Sequence, residues 1–154
     1  MTGKVITYVL VIILMGLGIF YTNRAHASIN PFEIECMIFE GDEDYVEPDQ
    51  PIRHKCLDHY HWMIKYFNRA TEITWYLPNY DDKEKGKLCF STAIALAMPP
   101  NNIQKIIAVA VGLFTKYGLD CIDSFHEVQH YLYRAHYHAE MYEFYLEVLK
   151  HQES

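Results

Sequence analysis

No stretch of this chain alternates apolar and polar residues with the period of two that marks a half-buried strand. The β and mixed fold classes therefore lack support from the outset. Basic residues are the minority charge, 13 Lys plus Arg against 20 Asp plus Glu, for a net charge of −7. A nucleic-acid-binding surface neutralises phosphates with Lys and Arg, so that class is excluded. Serine nucleophile elbows, phosphate-cradling glycine loops and dinucleotide fingerprints are absent. So is any C-x-x-C spacing, which removes a zinc ribbon and a thioredoxin-type redox centre. No carboxylate pair suited to glycosidic cleavage stands out among the acidic residues.

What is present is apolar and aromatic. Hydrophobic residues make up 51% of the chain and aromatics 15%, with 13 tyrosines. A disordered chain is poor in aromatics, so this one folds. Its 154 residues suit one ordinary domain.

The start of the chain points to export. Residues 5–21 read VITYVLVIILMGLGIFY without a charge, Lys4 precedes them, and TNRAHA follows with Ala25 and Ala27 before Ser28. A positive start, an apolar middle and an A-x-A exit are the three parts of a secretory signal. The run also approaches the roughly 20 residues of a transmembrane anchor. Residues 1–27 are thus a signal peptide cleaved after Ala27 or a retained single-pass anchor. Both readings place the remainder outside the cytoplasm, in the periplasm or beyond. Without Lys4 and Arg24 that remainder has 11 basic and 20 acidic residues, a charge of −9. Such a charge suits a basic protein partner and does not suit anionic lipid.

All four cysteines, Cys36, Cys56, Cys89 and Cys121, follow the leader. In an oxidising compartment an even count predicts two disulfides. Of the three pairings, Cys36 with Cys56 and Cys89 with Cys121 close the shorter loops. Each bridge would contribute about 2–4 kcal/mol.

Residues 28–51 are acidic and irregular. GDEDYVEPDQP carries five carboxylates and two prolines and reads as a solvated loop, with an acidic docking strip as its functional alternative. Residues 52–154 form the helical domain. Apolar positions recur at three- and four-residue steps over 52–77. Residues 78–82 stop that helix, and residues 83–87, with Gly86, read as a charged loop. A short helix over 88–98 ends at Pro99 and Pro100. Asn101 or Asn102 caps a third helix over 103–117, and Gly118 ends it. The last helix places Cys121, Phe125, Val128, Leu132, Ala135, Ala139, Tyr142, Leu146 and Leu149 on one seam. The expected fold is all-α, a disulfide-stapled bundle of about four helices.

His126-Glu127-Val128-Gln129-His130 matches H-E-x-x-H, in which two histidines one turn apart bind zinc and the Glu is general base. His136 occupies the third-ligand position of the extended string. That string needs a Gly to break the helix where this chain has Tyr133. In an unbroken helix His136 lies roughly 240° round from His130, at about 100° per residue. Zincin folds also place a β-sheet upstream. The favoured reading is therefore no metal and no cofactor, with a zinc hydrolase of His126, Glu127 and His130 as the alternative.

His54, His59 and His61 open the first helix, and His136 and His138 lie on the last. If these helices are antiparallel neighbours, imidazoles from both would meet, and a metal site there is the alternative reading. His59 and His61 are two apart and share no face, so the histidines read as surface groups. Tyr133 and Tyr137, beside Arg134, lie off the seam and are the candidate protein-binding residues, since Tyr and Arg anchor interfaces.

Several stretches resemble the Tai/Rap-type immunity proteins, which neutralise the amidase effectors of type VI secretion. These are the leader, and Cys56-Leu57 opening a helix with Tyr60 one turn on. Cys89 is followed by a proline-capped helix containing Gln104 and Ile107. Leu119-Asp120-Cys121-Ile122-Asp123-Ser124-Phe125-His126 is similar to the Cys-Ile-Asp segment that opens a late helix. No Pro directly follows Cys89 here, and the acidic residues 41–50 are extra. The resemblance covers roughly residues 52–135. It implies an exported, non-enzymatic partner of a secreted peptidoglycan amidase that blocks the active-site cleft. The alternatives are the zinc hydrolase and, with a retained leader, a membrane-anchored subunit of an envelope or organellar membrane complex.

Overall fold

The structure is a computed structural model that describes residues 38, 40–97 and 102–154. The leader and Cys36 lie outside the described residues. Helix α1 spans Ile52–Trp75. It buries Cys56, His59, Met63, Tyr66, Phe67, Ala70 and Thr74, a stripe at three- and four-residue steps that fits a 3.6-residue turn. Pro51 precedes its first turn with φ −53°, a value suited to helix entry because the ring fixes it. Pro78 follows its end, where the preceding residue is driven out of helical geometry.

Helix α2, Tyr80–Leu96, starts eight residues earlier than the sequence pattern predicts. Residues 83–87 are helix, not loop. Asn79 caps it by accepting from the Asp82 N–H, and Asp81 and Asp82 sit in the first turn, where carboxylates favour the positive end of the helix dipole. Gly86 is buried at a crossing. A Cβ there would stand 2.4 Å from Thr74 Cγ2 and 3.0 Å from Phe125 Cε1. The glycine serves close approach, not chain reversal.

Helix α3, Ile103–Lys116, is capped by Asn102, which accepts from the Lys105 N–H. Gly118 adopts φ +65°, the left-handed conformation that glycine tolerates. Two short 3₁₀ turns follow, Leu119–Cys121 and Asp123–Phe125. Helix α4 then runs over His126–Glu153. The seam predicted to begin at Cys121 begins at Phe125, because Ile122 is extended between the two turns.

α1 and α4 lie antiparallel along their length. Arg53 meets Glu153, Cys56 meets Tyr142, His59 meets His138 and Tyr66 meets Tyr131. α2 and α3 cover one part of this pair. Phe67 of α1, Phe90 of α2, Phe114 of α3 and Phe125 at the entry to α4 form a ladder of rings 5.7, 5.3 and 5.6 Å apart. Such edge-on and tilted contacts add about 0.5–1.5 kcal/mol each beyond area burial. On α4 the core takes Val128, Leu132, Ala135 and Ala139. From Tyr142 onward the seam is only half-buried.

The fold is all-α among the described residues: four α-helices and no strand. The expected bridge between Cys89 and Cys121 is not formed. Cys56, Cys89 and Cys121 are all free thiols. Cys89 is buried on α2 while Cys121 is exposed on a 3₁₀ turn, because the late start of α4 takes Cys121 off the seam. The expected partner of Cys56 lies outside the described residues. No helix among the described residues is long and apolar enough to cross a membrane.

Candidate functional site

The acidic segment before α1 is not a freely solvated loop. The Tyr45 N–H donates to the Asp42 carbonyl at 3.1 Å, closing a turn around Asp44. That turn inserts Asp44 between α1 and α4, where it is 1% exposed. An isolated buried carboxylate is prohibitively costly, and this one is fully engaged. Its Oδ1 accepts from Arg134 Nη1, and its Oδ2 lies 2.9 Å from His138 Nε2. Arg134 also pairs with Asp42 at 3.6 Å.

The network continues inward. His138 Nδ1 faces His59 Nδ1 at 2.9 Å. His138 is 0% exposed and His59 3%. Donors and acceptors assign the tautomers. Ionised Asp44 accepts from His138 Nε2–H. Neutral His138 then offers its Nδ1 lone pair, and His59 Nδ1–H donates to it. A single line of proton donation runs from α1 through α4 to the loop.

Aromatic rings enclose the line. Tyr145 stacks on His59 at 5.6 Å, and Tyr66 stacks on His138 at 5.9 Å. Tyr137 meets both imidazoles edge-on at 6.0 and 5.0 Å. Removal from water disfavours charge on the rings. Burial pushes the His59 imidazole down to about 3, helped by His138 and Lys55 and opposed by Asp44. Burial also lowers His138, against the raising effect of its bond to Asp44. For Asp44, burial works against ionisation, but the bonds from His138 and Arg134 outweigh it and hold the carboxyl below its usual value.

Chemically, the arrangement is a satisfied clamp. It fixes the loop and keeps two neutral imidazoles and one carboxylate out of water. Around it, the Lys65 ammonium meets Glu43 at 2.6 Å and Lys55 donates to the Pro48 carbonyl at 2.9 Å. Glu40, Glu43, Glu47 and Asp49 remain exposed.

The sequence-derived site residues divide sharply. Arg134 is part of the clamp. Tyr137, expected at an interface, is 6% exposed and faces the imidazoles, whereas Tyr133 is at the surface. His126, Glu127 and His130 stand on the exposed face of the first turns of α4, with His126 Nε2 3.9 Å from Asp123 Oδ1. Among the described residues no group of three His, Cys, Asp or Glu converges to hold a metal. His59, His136 and His138, read as surface groups, are buried. His136 lies apart from the clamp, with Nε2 3.8 Å from Glu140.

Sequence reasoning misses Asp44. It names His59 and His138 among the imidazoles that would meet across antiparallel helices, and these two do meet, but it reads them as surface groups, and they are buried. The signal for burial exists for both. His59 falls three residues after Cys56 on the α1 stripe, and His138 falls three after Ala135 on α4. Comparison with protein families, with curated proteins and with solved structures finds no significant match.

Proposed function

We propose that this chain is an exported, non-enzymatic protein-binding module that presents residues 40–50 as a rigid acidic strip to a basic surface on its partner. One observation carries the reading. A segment whose composition favours a loose coil is clamped through buried Asp44, while Glu40, Glu43, Glu47 and Asp49 stay in water. A strip already ordered before binding loses less conformational freedom on association. Its charge speeds encounter with a basic surface and disfavours acidic competitors. Tyr133, exposed two turns along α4 from His126, adds an aromatic contact of the kind interfaces use. The concrete form of this reading is an immunity protein that occludes a periplasmic peptidoglycan amidase, as the resemblance in the leader and cysteine-bearing segments implies.

The test is capture from an envelope extract of the source cell at pH 7.5. Immobilised protein is compared with a Glu40→Lys, Glu47→Lys, Asp49→Lys variant. A protein held by the native bait, lost on the variant and released by added salt supports the module. Equal capture by both baits, or none, overturns it. The captured protein is then assayed for release of peptides from peptidoglycan. Dose-dependent inhibition supports immunity, and a partner without hydrolase activity removes the immunity form.

A further inference from the structure

The clamp holds its loop through groups that can take up protons, and the geometry limits how many. In the closed form one N–H lies between His59 Nδ1 and His138 Nδ1. A first added proton can be accommodated if His59 shifts its hydrogen to Nε2 and accepts from His138. A second cannot. It would set N–H against N–H at 2.9 Å and bury two adjacent imidazolium ions. For the withdrawn form to accept both protons, both rings must reach water, His138 through the place that Asp44 vacates and His59 behind it.

We infer that this contact is an acid-opened latch, in which protonation of His59 and His138 releases residues 40–50 from the α1–α4 face. The inference deepens the proposed function by giving the regulation of the same strip, and its biological consequence rests on that reading. The groups that face the pair come from each element packed against it. The loop contributes Asp42, Glu43 and Asp44. α1 contributes Lys55 and Tyr66, and α4 contributes Arg134, Tyr137 and Tyr145.

The sign follows from linkage. Both imidazoles are held below the ordinary histidine value of 6.5 by burial. The open form therefore binds more protons below that pH, and acid favours opening. Asp44, held below its ordinary value, acts in the same direction at lower pH. Each proton taken up on opening raises the opening constant about tenfold per pH unit, so two raise it about a hundredfold. The Lys65 and Lys55 contacts are exposed and weak, so they do not hold the strip alone.

The experiment is amide hydrogen exchange on the full chain between pH 7.5 and 4.5, with protection corrected for intrinsic exchange. The expected result is a fall in protection within residues 40–50, read at the bonded Tyr45 and Gln50 amides, of about ten- to a hundredfold per pH unit below about 6, while α2 and α3 keep theirs. A His59→Gln, His138→Gln variant removes the titration, and its strip shows no such pH dependence. Nitrogen NMR of the native protein reads the imidazole tautomers directly and needs no variant. Flat protection of residues 40–50 across the range overturns the latch. So does loss of protection there only together with α2 and α3, or two protonated imidazoles with the strip still closed. No partner enters these measurements, so failure of the partner capture at pH 7.5 and failure of the latch are separate results.

Discussion

His59 and His138 stand 79 residues apart in sequence and meet nitrogen to nitrogen at 2.9 Å, with Asp44 bonded to the far side of the second ring. This pairing brings together α1, α4 and the segment before α1. It makes the acidic segment part of the fold and gives its surface carboxylates a fixed position. The binding reading depends on that conversion of a coil into a clamped strip.

Replacing Asp44 with Ala leaves Arg134 and His138 without their main acceptor. Removing one partner of a buried charge pair costs about 3–5 kcal/mol. Arg134 retains Asp42 at 3.6 Å and is 23% exposed, so the loss should lie near the lower end, about 3 kcal/mol. Urea unfolding at pH 7 measures it. A loss under about 1 kcal/mol, typical of surface substitutions, would show that the clamp holds little.

Gly86→Ala tests the crossing of α1, α2 and the start of α4. Ordinarily Ala stabilises a helix interior by about 1 kcal/mol over Gly. Here the new methyl meets Thr74 Cγ2 at 2.4 Å and Phe125 at 3.0 Å, and overpacking of this kind costs about 1–3 kcal/mol. The net effect is destabilisation. Thr74→Ser removes the obstructing methyl and keeps the hydroxyl that donates to the Ala70 carbonyl at 2.9 Å. In the double variant part of the loss should return, so the two changes will not add. A thermal melt of the four proteins decides it.

These two sites also show what was legible in the sequence. The helix count, the α3 caps and the α4 seam from Phe125 to Ala139 followed from local rules: apolar spacing, Asn at a helix start, Gly at a helix end. The early start of α2 did not. Gly86 and the four charges of residues 83–87 look like a loop until Phe125 and Thr74 are seen to need the room. Asp44 was illegible for a related reason. Nothing local separates it from Asp42 or Asp49, because the partners that draw it inward lie 90 and 94 residues away. The histidines misled because polar residue types default to the surface, yet His59 and His138 find hydrogen-bond partners that make burial tolerable.

The thiols should differ in reactivity by position. Cys56 and Cys89 are buried, and burial pushes both thiols up, Cys89 to about 11. Cys121 is exposed, although Asp120 beside it also raises its value. Because the thiolate is the reacting form, iodoacetamide at pH 8 should label Cys121 in the native protein well before Cys56 or Cys89. Denaturation should open all three to labelling. Peptide mass mapping reads each site. Protection of Cys121 that only a reductant relieves would show it bonded to another thiol.

Tyr66 supplies a readout of the clamp from the alkaline side. Burial, then the charge of Asp44, raises its phenol to about 12, against a smaller lowering by Arg134. A group raised above its unfolded value of about 10 favours the folded state below pH 10. That contribution is lost as pH climbs towards 12. Tyr45 and Tyr142 are also raised, so in absorbance at 295 nm the Tyr66 contribution, about two units late, is the part of the late component that Tyr66→Phe removes. Asp44→Asn takes away the nearby negative charge but leaves the ring buried, so the Tyr66 contribution should move down without reaching 10. If Asp44→Asn leaves it unmoved, the carboxylate does not act on the ring, and the electrostatic coupling between loop and α1 is absent.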